Sequence, residues 1–507
     1  MAAVTVAVLV ALVACIVALA LRAMKGYRSS VPGPPALPFI GHALEFVNMD
    51  LDKLFHTLLK LVEGRHLCQL SLLTRTVIVI SDPTCFGELV RRKDLNDKSV
   101  FAYSLLHVVA KRGLIQLGGP EWKEHRVWLA PGFKKSVLDT FVTDFNAVAK
   151  DFLKTVPTEQ DVDVRKLIGR PMTRAFILTS LGDDWDEDDE IHSITDFIDE
   201  FFRTVMLRSF NPLLWSDSLF MLTADGRNML KMKEVVDSFT KKFIIRKRAA
   251  LRTKKSEEAE PIRKTLMDIM IDTPEHQEPM SEEAIQDEVK TSYAASVETT
   301  ATALCWALKI LSLMPEVQQR LCDELYQVFG DSDRDVCSED MPQLKYMERF
   351  FKEVLRMYPP VPFIARQCYN NTEIWGHQVA AGTTLAINIF SIHRDPRYWK
   401  DPGIFDPDRF LPDIAKDRHP YAYIPFSAGS RNCIGGTYAM QLMVTFLATA
   451  LRTYSVHPVD DHHKSAQTLT DDMTYNITSG LRGGVRVKFL SRVAGLRPQA
   501  QPATACS

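Results

Sequence analysis

No two cysteines of this chain form a CxxC pair, and the nine present are scattered from Cys15 to Cys506. An odd number without a framework argues against a disulfide-stapled scaffold and for a reducing compartment. Cys305 falls in an apolar helical run and reads as a small core hydrophobe. Internal repeats are absent, and no glycine–serine or proline-rich linker separates apolar segments, so the 507 residues read as one large helix-rich domain. Charge of one sign is not in excess: the net of −2 gives no reason to expect nucleic acid as a partner. No Gly-x-Gly-x-x-Gly fingerprint or flavin domain occurs, so any redox chemistry must draw its electrons from outside the chain. The dense acidic run at 183–190 lacks the glycine and terminal glutamate of an EF-hand and reads as a solvated loop.

One long apolar run is present. Residues 2–21 carry no charge, and Thr5 is their one polar side chain. Twenty such residues make a helix of about 30 Å, the thickness of a bilayer's hydrocarbon core. A cleaved signal peptide has a shorter apolar region behind a positive segment, which is missing here. Arg22, Lys25 and Arg28 follow the run and predict a cytosolic main domain. Pro32, Pro34, Pro35 and Pro38 then form a stiff spacer. The expected organisation is an anchor at 1–21, a hinge at 22–40, a catalytic domain at 41–494 and a disordered tail at 495–507.

Residues 67–72 and 77–81 are β-branched apolar runs that predict a hairpin. Residues 99–117 are apolar, irregular and contain glycine. Trp122 and Arg126 stand four apart and share one helix face, supplying an indole N–H and a guanidinium side by side. Alone, that pattern also fits an amphipathic helix with a surface arginine. Residues 281–314 predict a helix of about 50 Å, opened by Glu282 and Glu283 and stopped by Pro315. Its middle holds the small residues Ala295 and Ser296 and then Glu298 and Thr299, an acid beside a hydroxyl able to relay protons. A polar notch on an amphipathic helix is the plainer reading of the same residues. Glu353 and Arg356, three apart among apolar neighbours, predict a buried ion pair that needs a third partner. Residues 439–451 predict a helix, and 475–490 a terminal hairpin about Gly483 and Gly484.

The most informative stretch is Phe426, Gly429, Arg431, Cys433 and Gly435, in the pattern Phe-x-x-Gly-x-Arg-x-Cys-x-Gly. Gly429 and Gly435 are expected to take positive φ and let the backbone approach a flat object. A cysteine just before a helix N-terminus sits where amides and the helix dipole favour a thiolate, a good axial ligand for haem iron. This loop, with the motifs above in the same order, resembles the haem-binding loop of the cytochrome P450 family. The Trp-x-x-His-Arg helix and Arg-Asn-Cys-Ile-Gly loop are most similar to its family-four clan.

The resemblance implies a mainly α fold with small β-sheets and a haem b whose iron is ligated by Cys433. It also implies oxygen activation by the acid–threonine pair Glu298 and Thr299. Trp122, Arg126, Arg366 and Arg431 become expected partners of the haem propionates, and Phe426, Gly429, Gly435 and Ala295 expected cofactor contacts. Arg409 would complete a scaffold lock with Glu353 and Arg356, while Phe363 and Ile364 would face the substrate. The region at 99–117 and the aromatic-rich segment at 191–220 would cover the pocket. The family's microsomal members take electrons from NADPH–cytochrome P450 reductase, some also from cytochrome b5, and sit in the endoplasmic reticulum membrane. Two departures stand out. Ser296 replaces the usual glycine, and Ala295 stands where many vertebrate relatives in the clan carry a glutamate esterified to haem, so the haem here is expected to be non-covalent. A monooxygenase acting on a lipophilic small molecule is the leading expectation. A peroxide isomerase or dehydratase, and a non-catalytic haem or lipid binder, are the alternatives; branches of the first kind commonly lack the acid–threonine pair.

Overall fold

A computed structural model describes residues 29–38, 40–46, 49–185, 188–254, 264–272, 280–459, 463 and 465–492, together with 10, 11 and 14. The expected tail at 495–507, and all but three positions of the anchor at 1–21, lie outside these residues. Among the described residues no single helix is long and apolar enough to cross a membrane.

The helix Glu282–Leu313 is the axis of the fold. Ser281 caps it by accepting the Ala284 amide at 3.1 Å, and Glu282 and Glu283 meet the positive end of its dipole. Its last residue is followed by Met314, which Pro315 holds outside helical geometry at φ −130° and ψ 75°. From Ala284 to Ser312 most side chains are buried on every side, as expected of a helix at the centre of a large core. Around it pack Val164–Phe176, Ala224–Lys254, Lys345–Met357 and Gly436–Thr453.

Leu67–Leu72 and Arg75–Ile80 form the expected hairpin, with Leu67 opposite Ile80 and a tight turn in which Leu73 takes φ 51°. Arg75–Ile80 then runs parallel to Thr384–Asn388, which pairs antiparallel with Phe363–Gln367. That last pairing sets Phe363 and Ile364 beside the cavity described below.

The terminal hairpin differs from expectation. Met473–Asn476 pairs with Thr478–Leu481 through a turn at Ile477, which takes φ 64°. The Gly483–Gly484 turn instead sends the chain into Arg486–Ser491, a strand of a separate sheet beside Tyr454–His457 and Asp161–Asp163. Alternation along 475–490 signalled strands correctly. Their partners were not readable from it, because the pairing strands come from distant parts of the chain.

Candidate active site

The loop before Gly436–Thr453 is folded by its own backbone. The Cys433 amide donates to the Phe426 carbonyl at 2.9 Å, and the Asn432 amide to the Gly429 carbonyl at 3.1 Å. Gly429 takes φ 75°, and a Cβ there would stand 2.7 Å from Val90 Cγ1. Gly435 does not take the expected positive φ: at φ −92° it is the helix N-cap, and Ser427 bears the second positive φ of the loop, 59°. Cys433 is exposed and lines a cavity of about 570 Å³. Burial raises the thiol's pKa, while the Gly435 amide and the cations of Arg126 and Lys98 act in the opposite direction without cancelling it. A stable thiolate here therefore needs a positive centre directly on sulfur.

Cations crowd the same end of the cavity. Arg431 stacks 4.0 Å from the Trp122 ring centroid and donates to Asp97 at 2.9 Å and to the Leu117 carbonyl at 2.7 Å. Its Nε and Nη1, and those of Arg366, are buried without a protein partner. Burial pushes the Arg366 guanidinium down to about 10, and Arg431 beside it adds repulsion. Lys98, lowered by burial and by both arginines, donates to the Tyr103 hydroxyl at 3.2 Å. Arg126 turns two nitrogens onto Asn432, at 3.1 Å to its carbonyl and 2.9 Å to Oδ1, and so fastens its helix to the cysteine loop. Among the described residues, Asp97 is the carboxylate bound to this group. Buried cations in such excess call for an anionic partner. A flat cofactor bearing two carboxylates and held by Cys433 would match both the donors and the orphaned nitrogens.

The central helix forms the opposite wall. Ala295, Ser296, Thr299 and Thr300 line the cavity, and Thr299 Oγ1 donates to the Ala295 carbonyl at 2.6 Å. Ser296 Oγ donates to the Tyr293 carbonyl at 3.4 Å, so the hydroxyl in place of glycine stays on its own helix. Glu298 is not among the lining residues. It is buried behind the helix, accepting from Thr478 Oγ1 at 2.7 Å and ion-paired with Arg165. Phe197, Phe201, Phe202 and Phe210 also line the cavity, as do Phe363, Ile364 and Phe426.

Glu353 and Arg356 are 0 % exposed and joined by bonds of 2.6 and 2.7 Å, with Arg409 Nε 3.4 Å from the same carboxylate. Arg356 also donates to the carbonyls of His393 and Pro402, so the group ties Lys345–Met357 to the loop ahead of the cysteine. It does not line the cavity.

Sequence reasoning missed Lys98, Gln116, Arg165, Phe197 and Lys290. A lone lysine or glutamine in an irregular stretch carries no spacing signal, and Arg165 finds Glu298 only through the fold.

A helical domain built around such a cavity suits an enzyme of the haem-thiolate class. The cytochrome P450 family profile matches residues 31–477. The chain is 30% identical to cytochrome P450 4c21 of Blattella germanica over 87% of this chain and 90% of that one. It is 31% identical to cytochrome P450 4V2 of Mus musculus over 86% of each, and 32% identical to probable cytochrome P450 4ac1 of Drosophila melanogaster over 80% and 79%. This protein belongs to the cytochrome P450 family and is a monooxygenase, an oxidoreductase of a family that holds haem through a cysteine-ligated iron.

Proposed function

We propose that the protein inserts one oxygen atom from O2 into a lipophilic substrate, using non-covalent haem b held by Cys433 and electrons from NADPH through a separate reductase. When bound, the haem supplies the oxygen-activating redox centre, and the thiolate ligand enriches it in electron density. Arg366, Arg431 and Lys98 would pair with its propionates, with Trp122 stacked on Arg431 and Arg126 bracing the loop. Ala295 leaves the haem free of an ester link. Thr299 holds a proton at Oγ1 on the reaction side of the central helix. Glu298 stands one layer back, held by Arg165 and Thr478, and would join proton delivery only if one of those bonds opened. Glu353, Arg356 and Arg409 keep the loop in register. Phe363 and Ile364, with the other phenylalanines of the cavity, exclude water and hold the lipophile.

One observation carries this reading: a single cavity is lined at once by Cys433, by Thr299 and by Arg431, two of whose buried nitrogens have no protein partner. The segment at 2–21 fits a single anchor in the endoplasmic reticulum membrane, with the domain at 41–494 cytosolic and the reductase and cytochrome b5 as its redox partners. The test is turnover with NADPH, added reductase and isotopically labelled O2 over a panel of fatty acids and long-chain olefins. Label in the product is expected. Conversion of peroxides without NADPH, and no label, would favour the isomerase reading instead.

A further inference from the structure

Four cationic residues line the cavity among those described: Lys98, Arg126, Arg431 and Lys290. No Asp, Glu or His is among the lining residues. The first three gather at the cysteine end, where Lys98 and Arg431 would pair with haem propionates and Arg126 is held by Asn432. Lys290 stands apart. It lies nine residues before Thr299 on the central helix, about 14 Å along the axis at 1.5 Å per residue. A lysine at that remove from the reacting centre is where a carboxylate at the far end of an extended chain would find its counter-ion.

Its charge is already spent. Lys290 Nζ sits 2.8 Å from Asp287 Oδ1 and 3.0 Å from Asp237 Oδ1. Asp237 also binds Lys233, so two lysines face two aspartates and the cluster is neutral. Asp287 is fixed as well: its Oδ2 accepts the amides of Lys111 and Arg112 at 2.8 and 2.9 Å, clamping the loop that covers the cavity. Burial alone would raise the Asp237 pKa, but its two lysines hold it below the ordinary carboxylate range, so it stays charged. What remains for a ligand at this end is neutral: the Gln116 amide, the Thr291 and Ser292 hydroxyls and the phenylalanines of the cavity. A carboxylate buried there would lose its water and gain no unpaired cation.

From this charge balance we infer that the substrate is an uncharged lipophile: a long-chain hydrocarbon, or a neutral derivative of one such as an alcohol or ester. A free fatty-acid anion, finding no unpaired cation among the described residues at that end, should bind more weakly. The inference rests on the monooxygenase reading above and narrows its substrate class.

The test is a titration of the purified holoprotein with a matched series, namely lauric acid, methyl laurate, dodecanol and dodecane, read from the perturbation of the haem Soret band. The pH is set so that the acid is ionised. Uncharged members should bind at least about tenfold more tightly than the acid. Equal or tighter binding of the acid overturns the inference, as does the lack of any response to an uncharged member. Asp237→Asn removes one carboxylate from Lys290 and should raise the acid-to-ester affinity ratio by about tenfold; an unchanged ratio counts against the charge argument. The reduced CO spectrum of each sample is recorded first. A normal thiolate spectrum with preferred acid binding overturns the inference alone, whereas an abnormal one in wild type overturns the reading beneath it as well.

Discussion

Glu298 and Thr299 are adjacent in the chain yet face different compartments: Thr299 lines the cavity, and Glu298 is bound behind the helix to Arg165 and Thr478. An acid and a hydroxyl at consecutive helix positions point about 100° apart, so the motif places one group at the reaction and holds the other in reserve. Thr299→Ala removes the hydroxyl and leaves the binding walls in place. NADPH oxidation should persist while product falls about tenfold or more and hydrogen peroxide rises. Unchanged coupling of NADPH to product would remove Thr299 from proton delivery.

Arg356→Ala leaves Glu353 0 % exposed and without its main partner, and burial then raises its pKa further. Breaking one side of such a pair costs about 3–5 kcal/mol. Chemical denaturation should register that loss, and expression should yield mostly protein without haem. A variant with wild-type stability and full haem content would contradict the scaffold role.

Gly429→Ala puts a Cβ at φ 75°, 2.7 Å from Val90 Cγ1. The left-handed backbone alone costs about 1–2 kcal/mol, and the contact adds to it. The denaturation midpoint should drop, and the additional variant Val90→Ala should recover part of the loss. No recovery would mean that backbone strain alone is responsible.

His393 is fully buried, and its Nε2 accepts the Ile424 amide at 2.8 Å, so the ring is neutral. Burial, then repulsion from Arg356 and Arg394, lowers its pKa to about 3. Between the ordinary histidine value and about 3 the unfolded chain binds a proton that the folded protein refuses. This histidine therefore removes stability as pH falls from about 6.5 toward 3. Wild type should lose more thermal stability than His393→Gln between about pH 7.5 and pH 5. An equal loss in both would assign the acid sensitivity to other groups.

Much of this site was legible in the sequence because its elements are local. Cys433 with its glycines, Trp122 with Arg126 and Glu353 with Arg356 are each set within one loop or one helix. The central helix was readable from its acidic start and its terminating proline. What the sequence could not show are relationships closed by tertiary structure. Gly435 was expected at positive φ, but the loop bends at Ser427 and Gly429 instead, because Gly435 begins a helix. Strand 486–491 alternates as a hairpin partner should, yet it pairs with Tyr454–His457 and Asp161–Asp163. Lys290 reads as one charge on a helix until the fold brings Asp237 to it.

The claim beneath all of this is that Cys433 ligates haem iron as a thiolate. The measurement that meets it most directly is the absorbance of the purified, dithionite-reduced, CO-bound protein, beside Cys433→Ser prepared in the same way. Wild type should show the red-shifted Soret band for which the family is named, and the serine variant should lose it. A band at distinctly shorter wavelength in well-folded wild type, or an unaltered band in Cys433→Ser, would contradict the assignment.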